Sequence, residues 1–291
     1  MANGSGPGAW QKFGAFVGKM GWTGLTWGLF LFFILGPLLT VVAFSFTPSV
    51  FQGVSPSTLH WYKRLFTEPP LLYPLLRSLE VAVLVVLVQL VLGTLVAYAT
   101  VRKKVFGARL MDAMSNLTIA LPSVVVGLAL LAFYGPFGPV HAVADTLFSH
   151  PLNLTFTLWI LVFAHVLETF PYMVRTVGAV LEQVPPNLES AARSLGAGPI
   201  TVFRTVLLPQ LRHAMLAGSV LVFSRSIAEF GATIIIVSAV LRTAPISIYS
   251  QAEAGALELA AAYSVILMLL SLSVYLLMRR TLRRLDLRLA H

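Results

Sequence analysis

The chain has no cysteine among its 291 residues, which excludes disulfides, thiol nucleophiles and Cys-ligated metals together. It is also short of charge: Asp, Glu, Lys and Arg make up 11%, where an ordinary soluble domain has about 25%. It contains no Gly-x-x-x-x-Gly-Lys-Ser/Thr phosphate loop to cradle ATP and no His-Glu-x-x-His pair for zinc hydrolysis. Short repeats are absent, and low complexity is confined to the Gly-rich start. What is abundant is apolar: 57% of residues are hydrophobic and the mean hydropathy is +0.85. A net charge of +9 raises the question of nucleic acid. However, the basic residues sit in short segments between apolar runs and form no basic face interleaved with aromatics, so that class is set aside.

A helix needs about 20 apolar residues to cross the hydrocarbon core. Six segments qualify, near 23–47, 75–101, 113–134, 154–180, 213–238 and 259–279. The third contains Pro122, which a membrane helix tolerates when neighbours satisfy the freed carbonyl. Lys12 and Lys19 precede the first run and no small-residue cleavage site follows it, so it reads as a retained helix. The expected architecture is all-α and integral to the membrane. It has a short segment 1–22, a six-span domain 23–279 and a basic tail 280–291.

Lys and Arg placement sets the expected orientation. One side receives Lys12, Lys19, Arg102, Lys103, Lys104, Arg109, Arg175, Arg193, Arg204, Arg212, Arg279, Arg280, Arg283, Arg284 and Arg288. The other has Lys63, Arg64, Arg77 and Arg242, and Arg225 stays inside a span. Both termini are therefore expected in the cytoplasm, with 48–74, 135–153 and 239–258 outside. Trp22, Trp27, Trp61 and Trp159 lie near span ends, where interfacial anchoring is the default. The C-terminal arginines suit lipid headgroups. Lys63 and Arg64, in a loop stiffened by Pro48, Pro56, Pro69 and Pro70, suit either solvent or acidic groups on a partner.

The longest connection on the basic side is 181–212, and its grammar is helical. Pro185-Pro186 stops the preceding helix, Asn187 suits an N-cap, and Glu189 favours the N-terminal dipole. Leu188, Ala191, Ala192 and Leu195 share one face, and Gly196 is placed as a stop. Pro199 opens a second short helix that Pro209 ends or bends. Two uses fit: an amphipathic helix lying on the membrane, or a coupling helix seated in a soluble partner's groove and anchored by Glu189 and Arg193.

This segment resembles the cytoplasmic signature of permease subunits of ABC importers: Glu-Ala-Ala, three residues, Gly, nine residues, Ile, one residue, Leu-Pro. Ala191, Ala192, Gly196, Leu208 and Pro209 match it. Val206 stands for Ile, and Ser190 stands where the motif has Glu, with Glu189 adjacent. The resemblance implies a type I importer permease with six spans and both termini in the cytoplasm of the cell-membrane-embedded complex. Coupling to the ATPase would run through Glu189, Ser190, Ala191, Ala192, Arg193, Gly196, Leu208 and Pro209. It implies a second permease copy, two cytoplasmic ATPase subunits that bind ATP and Mg, and an external solute-binding protein. No cofactor is expected in this chain, which is expected to be the translocating part and not itself an enzyme.

Ionisable residues within spans are costly and mark function. Arg225 and Glu229 are four apart and can pair on one face, locking helices; alternatively Ser226, Glu229, Phe230 and Thr233 line or gate the path. The run Ser226 to Thr233 resembles the Glu-Phe-Gly-Ala stretch of oxyanion permeases for molybdate, tungstate and sulfate. Thr243-Ala244-Pro245-Ile246-Ser247-Ile248-Tyr249 and Ala260-Ala261-Ala262-Tyr263 resemble the molybdate/tungstate branch, which implies a homodimer. Leu121-Pro122, Val126-Gly127, Pro171-Tyr172 and Val174-Arg175-Thr176-Val177 are compatible. Permeases for ferric iron, polyamines or aminophosphonates share such motifs; a cationic cargo would meet surplus acidic groups, whereas Arg225 offsets Glu229. A channel or ATP-independent carrier would leave the 181–212 connection without a role. His165 and Glu168, three apart, lack the further ligands of a metal site and suit a pair holding helices together.

Overall fold

The computed structural model describes residues 9–49, 58–103, 107, 110–111, 113, 117–118, 120–148, 157–237 and 241–289. Pro56, Lys104 and Arg109 lie outside the described residues, as do 149–156 and much of 113–119. So do the side chains of Lys12, Lys19, Lys103, Arg283, Arg284 and Arg288. The described chain is helical, with six helices long and apolar enough to cross a membrane: Gly21–Ser45, Pro69–Arg102, Ser123–Thr146, Leu158–Gln183, Pro199–Ile227 and Leu257–Thr281.

The first span joins α1 (Ala9–Phe30) to α2 (Gly36–Ser45) through a wider π-helical turn. Of this span α2 packs on α13 (Leu257–Leu289), and Trp22, Trp27, Phe32 and Phe33 are presented outward. The expected loop 48–74 contains α3 (His60–Thr67), and α4 (Pro69–Tyr98) already begins at its end. Pro69 and Pro70 fit there because the first helical turn needs no N–H from them. Trp61 donates its indole N–H to Thr47 O at 2.8 Å. Arg64 closes a two-point pair on Glu68 at 2.7 and 3.0 Å, so it is already matched by an acid of its own chain. That hydrogen bond holds the Glu68 carboxyl below its usual range. The pair is therefore formed above the usual carboxylate range and is lost only as pH falls below it, through the lowered value.

The expected third span 113–134 is broken at Pro122: residues 117, 118 and 120 are helical, and the helix lapses at 121–122. Pro122 takes an extended conformation and α5 (Ser123–Tyr134) starts just after it; a turn then leads into α6 (Pro139–Phe148), inside the expected outer loop. α7 (Leu158–Gln183) is the most buried span and forms the centre of the core with α4 and α10 (Leu208–Ile227). The three meet at Met173, whose side chain fills the space left by Gly93 and Gly218, the small-residue contact typical of membrane helices. Pro171 lacks an N–H for α7's ladder; in the same region Gln89 reaches from α4 and donates to Val166 O at 2.6 Å.

The expected fifth span 213–238 is not one helix. α10 stops at Ile227, Ala228–Phe230 breaks the ladder, and α11 (Gly231–Ile236) follows as a separate short helix packed on α5. α12 (Ala244–Glu253) occupies the expected outer loop 239–258, and its first amide donates to Ser78 Oγ of α4 at 2.8 Å. The basic tail continues helix α13 to Leu289.

Candidate functional site

Two constellations stand out, one at the turn between α7 and α10 and one where α10 breaks. In the first, α8 (Pro186–Ser194) begins with Pro186 in its first turn and Pro185 as its cap residue, so Asn187 is inside the helix and does not cap it. It ends as Gly196 turns left-handed at φ +86, with Gly196 N–H donating to Arg193 O and Ala197 N–H to Ala192 O. This closure satisfies carbonyls that the helix end leaves open. After Gly198, α9 (Pro199–Val202) runs through a π-helical stretch, Phe203–Leu207, into α10. Pro209 therefore does not end the helix, which runs from Pro199 to Ile227 with the π-helical widening just before the proline. The wider turn before it absorbs the missing N–H.

Glu189 does not point outward to anchor a partner. It is 4% exposed and turned into its own chain, where Arg102 Nε stands 2.8 Å and Arg193 Nη2 3.0 Å from its two oxygens, and Tyr98 donates at 3.1 Å. Arg102 also donates to Val184 O. The clamp ties α8 to the end of α4 and surrounds a cavity of about 230 Å³ with Ser190 at its rim. Sequence reading missed Arg102 and Tyr98 because a basic residue at a span end already had an explanation in orientation. Ser190, at the motif's acidic position, is exposed and donates to Pro186 O. The face of Leu188, Ala191 and Leu195 points away from the bundle; with Ile200 it makes an apolar tip, Leu195 being 89% and Ile200 70% exposed. Leu208 is half-buried and Pro209 exposed, while Leu207 carries the packing.

In the second constellation the four residues expected on the path separate. Ser226 and Thr233 are buried and face His165, whose Nδ1 lies 2.9 Å from Ser226 Oγ and Nε2 2.9 Å from Thr233 Oγ1. A neutral imidazole offers one donor and one acceptor, and two hydroxyls complement either arrangement. His165 thus joins α7, α10 and α11, and its expected pairing with Glu168 is replaced by these two contacts. His165→Ala would strand both hydroxyls in the interior. The expected loss is roughly 1–3 kcal/mol, read as a lower melting temperature of the purified protein; an unchanged transition would mean the hydroxyls find other partners.

Glu229 is 1% exposed, and its Oε1 accepts from Ala232 N at 2.9 Å. A carboxylate thus meets the open N–H groups at the start of α11. Phe230 is half-buried against Tyr249 of α12, with ring centroids 5.2 Å apart. Tyr249 donates to Glu253, which raises the phenol's pKa and keeps it protonated. Arg225 stands 3.6 Å from Glu229 and 3.7 Å from Glu168. The expected Arg225–Glu229 contact is present, but one guanidinium faces two carboxylates, so the argument against a cationic cargo from simple offset no longer holds.

The sequence matches the family described as "Binding-protein-dependent transport system inner membrane component" over residues 89–287. The chain belongs to that family. It is a transport component and a multi-pass inner-membrane protein of the permease type. The chain is 31% identical over 253 residues to the "Probable sulfate transport system permease protein cysT" of Nephroselmis olivacea, covering 86% of each. It is 39% identical over 178 residues to the "Molybdenum transport system permease protein ModB" of Escherichia coli K12, covering 60% of this permease and 77% of that one. The fold is similar to a chain of a bacterial ABC transporter involved in import of the acidic polysaccharide alginate, with TM-score 0.76 and 16% identity over 94% of this permease and 96% of that chain. The all-helical, six-span architecture expected from sequence is therefore that of type I importer permeases.

Proposed function

We propose that this permease moves a small oxyanion, molybdate or tungstate first and sulfate next, into the cell by alternating access driven by a partner's ATP. Its likeness to permeases named for sulfate and for molybdenum carries the substrate class. The α8 turn supports the energetic part: a rigid, clamped helix presents an apolar tip that water does not favour and that a partner's groove would bury. On this reading the α8 end faces the cytoplasm, where an ATPase pair binds ATP and Mg, and a binding protein delivers the anion to the opposite end. A second copy of the permease completes the path. Two ATP-controlled arrangements of the ATPase pair drive the spans only because ATP binds those arrangements with different affinity. Glu189, Arg193 and Gly196 shape and hold the turn, while Leu188, Leu195 and Ile200 make the contact.

The decisive experiment reconstitutes the permease with its ATPase and binding protein in vesicles. ATP-dependent uptake of labelled molybdate or sulfate, with ATPase activity stimulated by the loaded binding protein, is the expected result. Uptake that persists without the ATPase would favour a carrier, and uptake of ferric iron or a polyamine instead would overturn the anion assignment. Leu195→Asp adds a sharper check. A carboxylate in a dry groove removes about 2 kcal/mol or more of docking free energy, so stimulated ATPase and uptake both fall more than about tenfold. Full coupling in that variant would place the contact elsewhere.

A further inference from the structure

We infer that Arg225 is the group that contacts the anion in transit, and that the side of α10 bearing Leu221 and Arg225, with Ala228 just past its end, is the wall of the path. This rests on the permease reading above. Glu168 is the eleventh residue of the 26-residue α7, about 15 Å along a helix of about 39 Å; Arg225 reaches it from the last turn of α10, so the cluster lies inside the span and not at its edge. At that depth the Arg225 side chain is still 41% exposed in the single chain. A half-exposed guanidinium facing acyl chains is strongly disfavoured, so the face that bears it turns toward the path or the second copy. Leu221 and Ala228, one turn before and one turn after, are exposed on the same side, whereas Ser226 and Thr233 point inward to His165.

The guanidinium is placed for this task. Its two carboxylate neighbours stand at ion-pair distance, 3.6 and 3.7 Å, and among the described residues it makes no hydrogen bond. The fork of N–H donors is therefore held in position yet unspent, and it matches the planar pair of oxygens that a tetrahedral oxyanion presents. Glu168 Oε1 is buried without a partner beside it, so the carboxylates offset the positive charge without capturing its donors. A dianion is recognised by the fork but repelled by the acids behind it, which suits passage and not retention. In a homodimer, two such forks would serve one path.

Because this chain has no cysteine, label on it reports only the introduced residue, and the unsubstituted complex treated in the same way is the reference for uptake. In the full complex in vesicles, Leu221→Cys, Ala228→Cys and Ser226→Cys are treated during ATP turnover with a water-soluble anionic thiol reagent. Labelling of the first two with block of uptake, and sparing of Ser226→Cys, is expected. The reverse pattern overturns the assignment of the face. Arg225→Gln is then expected to lower the anions moved per ATP by about tenfold or more, with partial recovery in Arg225→Lys. An undiminished ratio overturns the role of the guanidinium. Should Arg225→Gln fail to assemble, Ala228→Glu serves: it places a negative charge on the same face, and unaltered oxyanion uptake in that variant overturns the proposal. A wild-type complex that moves no oxyanion would instead sink the substrate reading, so the two failures are distinct.

Discussion

Glu189→Ala is expected to destabilise the protein by about 3–5 kcal/mol, the usual effect of removing one partner from a buried ion pair. The Arg102 side chain is 11% exposed and would keep its charge with only the Val184 carbonyl and passing water to meet it. Arg193 and the Tyr98 hydroxyl lose the same acceptor. The damage concentrates at one mechanical joint, because these contacts fasten α8 to the end of α4. Two readouts follow: a lower melting temperature of the purified protein, and faster hydrogen exchange in α8 than in α7. On the coupling role proposed for α8, ATP hydrolysis in the reconstituted complex continues with less uptake per ATP, since a loosened α8 would move with its partner without dragging the spans. Glu189→Gln keeps the shape and should fall between the two. An Ala variant with wild-type melting and exchange would show that Glu189 is not the clamp.

The architecture was readable because a bilayer imposes so coarse a code. Twenty-residue apolar runs need no knowledge of contacts, and the helices at Gly21–Ser45, Leu158–Gln183 and Leu257–Thr281 lie close to where composition placed them. Gly196 and Pro199 were equally legible, since a left-handed stop and a first-turn proline are local demands. Reading failed where a hydropathy window averages over a break. Ala228–Phe230 is apolar enough to continue a span, and only the carboxylate at 229 before Gly231 hinted that a new helix starts there. It also failed where side-chain direction decides the role. Ser226 and Arg225 are adjacent, yet one faces His165 and the other the outside, and that difference appears only once α7 is in place. Glu189 is the same case: its position beside the motif suggested an outward anchor, but Arg102, 87 residues earlier, turns it inward.

Gly127→Val should force α5 and α11 apart. A Cβ at Gly127 would sit 2.6 Å from Ala232 O and 2.9 Å from Ala232 Cα, and one at Gly231 would meet Ser123 Oγ at 2.0 Å. The obstacle at Gly127 is backbone, so no rotamer change relieves it, and α5 and α11 must move apart. Overpacking of a core commonly destabilises by about 1–3 kcal/mol, and here the displaced element carries other contacts. α11 holds Thr233 against His165, and its first turn receives the Glu229 carboxylate, so shifting it loosens the Arg225 cluster as well. Even Gly127→Ala should lower the melting temperature and uptake, with Val worse. Gly178 in α7 provides the control: a Cβ there meets only Val101 Cγ2, at an ordinary 3.7 Å. Gly178→Ala should therefore be neutral or stabilise by up to about 1 kcal/mol, since alanine is the better helix former. If Gly127→Ala and Gly178→Ala melt and transport alike, the close approach of α5 to α11 is not what positions the site.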